Sequence, residues 1–388
     1  MNKKITLGLA LSLVMIASAV TFILTSFFTL QSFNEKVVDV NEKSKKYNSL
    51  NEVDAYIREH YYGEINDSGL NDGTLKGLVN GLGDPYSKYL TADEYEAEQS
   101  IEEGSQTGIG LTLAEDVSGY IRITDILADS PAIEAGLLND DIIIKIDGKD
   151  VNSIGFSDAM NEIQGTEGSS VTLTIRRNGI DTDYTFRRRS IDIQSVTSKM
   201  TNGYIGYIQI AGFRKNTPDQ FLDQLGSLTA NGAKSLIIDL RGNEGGLISA
   251  LEECADPLLP EGIIATADYK DGHTETIVYS DDNKLDLPLI VLVDKDTVST
   301  AELFAAALRD FSHAQIVGIK TRGNGTIQET EKMDDGGAIV LTVAKCRTAV
   351  SESYNGVGIV PDVIVENPAG GEGDPQFDAA VELAMTSR

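Results

Sequence analysis

Basic residues, histidines and cysteines are all scarce in this chain. Two cysteines, Cys254 and Cys346, stand far apart among 388 residues. They are too few for a disulfide framework and lack metal-ligand spacing, although a single bridge stays open on sequence grounds. The three histidines, His60, His273 and His313, sit in no motif. A Ser–His mechanism and a His-based metal site are therefore without support, and no metal or cofactor is expected. Lys and Arg number 32 against 60 Asp and Glu, a formal charge of −28. Such a surface repels phosphates, which disfavours a nucleic-acid partner. No internal repeat is visible.

What is present begins with Met1-Asn2-Lys3-Lys4, followed by an uncharged stretch from Ile5 to Gln31. A run of that length can span a bilayer as a helix. The two preceding lysines would leave the N-terminus cytoplasmic and the rest of the chain outside. A cleaved signal peptide competes, with Ala17-Ser18-Ala19 as its processing site and a secreted product. The apolar run continues past that site to Phe27, Phe28 and Leu30, which favours an uncleaved anchor over residues 1–31 and a single-pass cell-membrane protein.

Residues 32–50 read as a polar stalk, and 51–100 carry helical spacing broken by Gly81, Gly83 and Asp84-Pro85. From about 105 the texture becomes short strands. Ile121-Arg122-Ile123 and Ile142 to Ile146 are examples, Asn178-Gly179 is a hairpin signal, and Ser130-Pro131 starts a short helix. From about 192 strands alternate with helices: Tyr204–Ile210, Pro218–Leu228, Ser235–Leu240, Leu289–Val293, Ala301–Arg309, Gln315–Val317 and Ala338–Val343. That alternation predicts an α/β core with a partly parallel sheet. Residues 367–374 form a loop, and Phe377 to Met385 a last helix.

The turn Thr297-Val298-Ser299-Thr300 lies between a strand-like and a helix-like run. Ser299 with Glu302 three residues on is a capping box. A Ser at a strand-to-helix turn is also where several hydrolases hold a nucleophile. The two roles are compatible, because a helix N-terminus supplies free N–H groups and a positive dipole end beside the hydroxyl.

Several segments together resemble the carboxyl-terminal processing peptidases, or tail-specific proteases, serine peptidases with a Ser/Lys dyad. Gly83-Asp84-Pro85-Tyr86-Ser87-Lys88-Tyr89-Leu90 is similar to the family's DPxSxYL signature. Gly108-Ile109-Gly110-Leu111, the Ser130–Gly136 segment and Asp140-Asp141-Ile142-Ile143 resemble its PDZ domain. Asp239-Leu240-Arg241-Gly242-Asn243-Glu244-Gly245-Gly246 resembles DLRxNxGG, and Asn355 to Asp362 resembles GxGxxPD. The resemblance implies an α/β (α+β) multidomain chain: anchor 1–31, stalk and helical segment 32–104, PDZ domain 105–190, crotonase-like peptidase core 191–366, and a C-terminal loop and helix 367–388. It implies that Gly108, Ile109, Gly110 and Leu111 hold the C-termini of extracytoplasmic proteins, with a homodimer as a further possibility. Ser299 falls at the nucleophile position, Gln328 at that of a supporting residue, and Gly245, Gly246 and Thr300 become candidate oxyanion donors.

The resemblance breaks at the general base. The family places a Lys inside GEKTxGKGxxQ; the stretch from Gly318 to Gln328 carries Asn324 there. A Ser hydroxyl needs a base to take its proton. A neutral Lys can do so, whereas an amide cannot, and such assistance is worth about 10²–10⁴-fold. Asn324-Gly325 also reads as a hairpin turn. Lys320 is a nearby substitute base only if it reaches Ser299; Arg322 stays protonated. Lys345 to Ser351 replaces a second family segment, YxTPSG. Two outcomes follow: a peptidase with impaired turnover, or a PDZ peptide-binding protein with a silent site. An unrelated α/β enzyme with a PDZ-like unit is the third reading.

Overall fold

The computed structural model describes residues 15, 18, 20–22, 24–26 and 47–386, apart from 128, 282–283 and 369–372. The chain divides into two units, Met1–Thr74 and Leu75–Arg388. In the first, residues 47–60 are helical. Arg58 there bridges Asp54 at 2.8 Å and Asp67 at 2.5 Å, and His60 stacks on Tyr56 with ring centroids 4.2 Å apart.

The anchor expected over 1–31 needs correction. Most of that stretch, and residues 32–46 of the stalk, lie outside the described residues. Among the described residues no helix is long and apolar enough to cross a membrane. Spanning takes about 20 consecutive apolar residues in one helix. The transmembrane helix in the expected fold, and the single-pass membrane localisation built on it, are therefore overturned.

The second unit has three apolar clusters and three main sheets. Its central sheet runs Val196–Thr201, Ile205–Ile210, Ser235–Asp239, Leu289–Val293, Gln315–Gly318 and Val363–Ile364 in spatial order; the first pair is antiparallel and the rest parallel. Ser235–Asp239 and Leu289–Val293 are buried at every position, as a parallel sheet covered on both faces requires. Leu236, Ile238, Val291 and Val293 pack towards helices Thr217–Ala230, Ile248–Ala255 and Thr300–Ser312. Ile237, Ile290, Leu292 and Val317 face Ala380 and Ala384 of the C-terminal helix Pro375–Thr386. Alternate side chains along one apolar run thus serve two layers.

A second sheet centres on the long strand Ala338–Thr348. It pairs with Lys88–Leu90, Thr326–Lys332 and Gly262–Tyr269, and the last carries Thr274–Ser280 on its other edge. The third sheet orders Leu111–Glu115, Ile121–Ile126, Ile142–Ile146, Ser170–Arg177 and Ile180–Arg187, all antiparallel. The last two strands join at Asn178 and Gly179, with φ of 52° and 79°, the geometry that makes Asn-Gly a hairpin turn. Ser105–Gly108 and Arg189–Asp192 pair with each other where the chain enters and leaves this sheet.

Candidate active site

The strand Leu289–Val293 ends at Asp294, and the helix Thr300–Ser312 begins six residues later. The hydroxyl of Thr297 bonds the Leu240 carbonyl at 2.9 Å, and Val298 N–H donates to the Asn243 carbonyl at 2.9 Å. These bonds bring the turn against the segment after Asp239. Ser299 sits at its apex, half-buried, with φ 58° and ψ −120°. A left-handed φ at a non-glycine residue is sparsely populated, and it persists only where the surroundings impose it.

Glu302 is the main constraint. Its carboxylate is wholly buried. Ser299 N–H donates to Oε2 at 3.0 Å, the Glu-side half of the capping box. Asn324 N–H donates to the same oxygen at 2.8 Å, Gly323 N–H to Oε1 at 2.8 Å, and the Thr321 hydroxyl also donates to Oε1. Sequence reading assigned Glu302 to the cap alone. Its other three donors come from a loop about twenty residues further on, which no local pattern signals.

Ser299, Thr300, Gly245, Gly246, Asn324 and Gln328 line one cleft of about 830 Å³. Gly246 has φ 133°, and a Cβ there would lie 2.1 Å from the Phe213 carbonyl oxygen. Only glycine fits so close to another backbone. Of the three candidate oxyanion donors, Gly245 N–H is already bonded to Asn243 Oδ1 at 2.8 Å. Gly246 and Thr300 N–H meet no protein acceptor among the described hydrogen bonds. Backbone N–H groups in such a position can stabilise a developing negative oxygen.

Asn324 is 3% exposed. Its Oδ1 accepts from Thr326 N–H at 3.2 Å and from the Thr326 hydroxyl at 2.6 Å. Gln328 Nε2 donates to the Thr326 hydroxyl at 2.8 Å and to the Thr342 hydroxyl at 3.1 Å. Thr342 N–H in turn donates to Ser87 Oγ at 3.0 Å, and Ser87 donates to Asp84 Oδ2 at 2.5 Å. Burial works to raise the Asp84 carboxyl, but the hydroxyls of Ser87 and Thr342 and the Tyr86 N–H outweigh it and hold the group below its ordinary range. The Asp84–Ser87 motif is thereby linked to Asn324 through a chain of hydrogen bonds. The hairpin expected at Asn324-Gly325 does not form. Neither residue takes a positive φ, and Gly323, at 94°, does. The tertiary bonds from Glu302 and Thr326 override the local Asn-Gly preference.

Tyr354, which is buried, donates to the Ser299 carbonyl at 3.4 Å and lies 3.4 Å from Cys346 Sγ. Burial, then Cys346 and Glu302, push its phenol up. Cys346 and Cys254 are both buried and free, so the bridge left open by the sequence is not made. None of the histidines lines the cleft.

Lys320 is exposed and is not part of the cleft wall. Lys88 is the lysine in that wall, and it is ion-paired with Glu98. Arg322, also in the wall, pairs with Asp296 at 3.1 Å. The Asp239–Arg241 pair faces elsewhere. Arg241 holds Asp239 at 2.6 Å and Asp374 at 2.8 Å, so it docks the C-terminal helix.

The glycine loop 108–111 leads from the end of the strand Ser105–Gly108 to Leu111, the first residue of the third sheet. Gly110 has φ 80°, and a Cβ there would stand 2.2 Å from Ser130 Cβ. Ala132 N–H donates to the Ile109 carbonyl at 3.0 Å. Leu111 begins the edge strand Leu111–Glu115, which pairs on one side with Ile121–Ile126. An open strand edge beside a glycine loop is the geometry by which a peptide adds as a further strand.

Residues 204–365 match peptidase family S41, residues 98–176 match the PDZ domain, and residues 14–94 match the N-terminal domain of the activating protease CtpB. The carboxy-terminal processing protease CtpA of Bacillus subtilis (strain 168) is 35% identical over 358 residues, covering 92% of this chain and 77% of the relative. A protein of Staphylococcus aureus (strain MRSA252) named "Probable CtpA-like serine protease" is 30% identical over 355 residues, 90% of this chain and 71% of the relative. A solved structure assigned to the S41 proteases, from Bacteroides fragilis NCTC 9343, shares the fold at a TM-score of 0.52. It is 18% identical and covers 85% of this chain and 92% of its own. Motifs, fold and relatives agree that this chain belongs to the serine C-terminal processing peptidases of family S41 and carries their PDZ domain.

Proposed function

We propose that this chain binds polypeptide C-termini through its PDZ unit and presents them to the Ser299 cleft, where hydrolysis is strongly impaired because Asn324 stands at the position of the general-base lysine. Ser299 is the nucleophile in this reading, Gly246 and Thr300 supply the oxyanion donors, and Gln328 steadies the base position through Thr326. The PDZ unit spans about 105–190 and the peptidase core about 191–366. Gly108, Ile109, Gly110 and Leu111 receive the terminal carboxylate.

The observation that carries the reading is the state of Asn324. Its side chain is buried and its carbonyl oxygen is occupied by Thr326. An amide has no basic lone pair for the Ser299 proton. The neighbouring cations do not replace it: Lys88 and Arg322 hold carboxylates, and Lys320 is exposed. The integration of Asn324 into a hydrogen-bond chain also favours the second reading, a peptide-binding protein without turnover.

The test compares the full chain with its Asn324→Lys variant on an unfolded protein with an apolar C-terminus. Restoring a base should raise cleavage by at least about 100-fold over a native rate near background. Robust cleavage by the native chain, lost in both Ser299→Ala and Lys320→Ala, would overturn the proposal. Peptide binding with no cleavage even in Asn324→Lys would select the second reading.

A further inference from the structure

Arg214 is a cation in the wall of the Ser299 cleft that has no acid of its own. Lys88 and Arg322, in the same wall, hold Glu98 and Asp296. Among the described residues the Arg214 guanidinium reaches no carboxylate and no hydrogen-bond acceptor, in a chain with 60 acidic and 32 basic residues. It is half-buried, and burial alone pulls it below its ordinary range. Holding a guanidinium away from water without a partner is unfavourable, so its retention in a cleft needs an account.

The backbone around Arg214 is fixed. Phe213 N–H donates to the Gly245 carbonyl at 2.8 Å, Leu247 N–H to the Phe213 carbonyl at 2.7 Å, and Arg214 N–H to Thr217 Oγ1 at 2.9 Å. The guanidinium lies over Gly212. A Cβ at Gly212 would stand 3.7 Å from its Cζ, 3.8 Å from its Nη2 and 3.6 Å from the Gly245 carbonyl oxygen. Gly245 in turn lies against the nucleophile turn, since a Cβ there would stand 3.1 Å from Ser299 Cβ. One glycine segment thus separates the free cation from Ser299. The nearby acids in the wall do not serve it. Glu98 belongs to Lys88, and the Glu102 carboxyl is pushed up by burial and then by Glu98 and Glu103, with no part played by Arg214. Glu244, the third acid in the wall, is exposed and forms no ion pair with Arg214 among the described residues, which leaves the guanidinium available to a carboxylate.

We propose that Arg214 is a specificity-determining residue that receives a carboxylate of the peptide lying in the Ser299 cleft. The inference rests on the reading that this cleft holds peptide. Two sources share the chemistry, an Asp or Glu side chain and the terminal α-carboxylate. A planar guanidinium engages either one through paired N–H donors.

The experiment measures binding by the full-length chain, using fluorescence anisotropy. The probes are apolar peptides with an amidated C-terminus and one Glu walked along the sequence, their Gln counterparts, and one neutral peptide as free acid and as amide. One Glu register should bind about tenfold tighter than its Gln partner. Arg214→Gln should abolish that ratio and Arg214→Lys should keep part of it. A terminal source would appear as a free-acid preference that falls in Arg214→Gln while the Glu walk stays flat. The PDZ contribution is common to native chain and variant and cancels. An unchanged set of ratios in Arg214→Gln, or no binding of any carboxylate peptide, overturns the proposal. The Asn324→Lys gain is read separately by cleavage, so failure of the hydrolytic reading leaves these ratios interpretable.

Discussion

The backbone N–H groups of Ser299 and Asn324 donate to one and the same oxygen, Oε2 of Glu302, at 3.0 and 2.8 Å. The Ser299 turn and the Asn324 loop are therefore held as one body through a carboxylate bonded to the backbone of both. Among the described residues Glu302 meets no cation in an ion pair; it is stabilised by four hydrogen-bond donors in a buried site.

Replacing that acceptor should be costly. In Glu302→Gln the amide nitrogen must face donors, leaving buried N–H groups unpaired, at a cost of about 2–4 kcal/mol. Urea unfolding should show the midpoint falling with an unchanged slope. In the Asn324→Lys background the same change should remove most of the restored cleavage. A Glu302→Gln chain as stable as native would show that the carboxylate is dispensable.

Ser299 is held at φ 58° and ψ −120°. Glycine accepts that conformation without strain and alanine does not. Ser299→Gly should therefore be more stable than Ser299→Ala by about 1 kcal/mol, although both lack the hydroxyl. Equal urea midpoints for the two variants would contradict a strained turn.

The C-terminal helix should loosen in acid. Burial works to raise the Asp374 carboxyl, but the Arg241 hydrogen bonds, the Phe377 N–H, Asn367 and the Arg241 charge outweigh it and bring it from 3.8 down to about 2. A depressed carboxyl contributes stability that is fully present above its unfolded value and is lost as pH falls through its folded value. The loss therefore falls between about pH 4 and pH 2. Asp374 is 39% exposed, so screening limits the effect to about 1 kcal/mol. Asp374→Asn should be less stable than native at neutral pH by that amount, and the difference should vanish near pH 2. A constant difference across the range would remove Asp374 from the account.

Much of the core was legible. Leu289–Val293 and Ser235–Asp239 are short runs buried on both faces, and continuous apolar strands declare themselves. Asn178-Gly179 formed its turn, and among the described residues no side-chain hydrogen bond from outside the hairpin competes for it. Asn324-Gly325 has the same local preference and did not, because Glu302 takes the Asn324 N–H and Thr326 takes its side chain. The membrane helix read from an uncharged stretch has no counterpart among the described residues, where no helix is long and apolar enough to span a bilayer.

The sequence by itself determined which chemical groups exist: a Ser at a strand-to-helix turn, an Asn where the resemblance implies a base, glycines able to approach another backbone, and strands apolar enough to be covered twice. Only the tertiary structure decided which of these groups meet. Glu302 joins segments 22 residues apart, the Asp84 motif reaches Thr342 across 255 residues through Ser87, and Arg214 is left without a partner among the described residues. Hydrogen bonds and ion pairs act over a few ångströms, so their partners are chosen by how the layers pack, and local spacing carries no record of that choice.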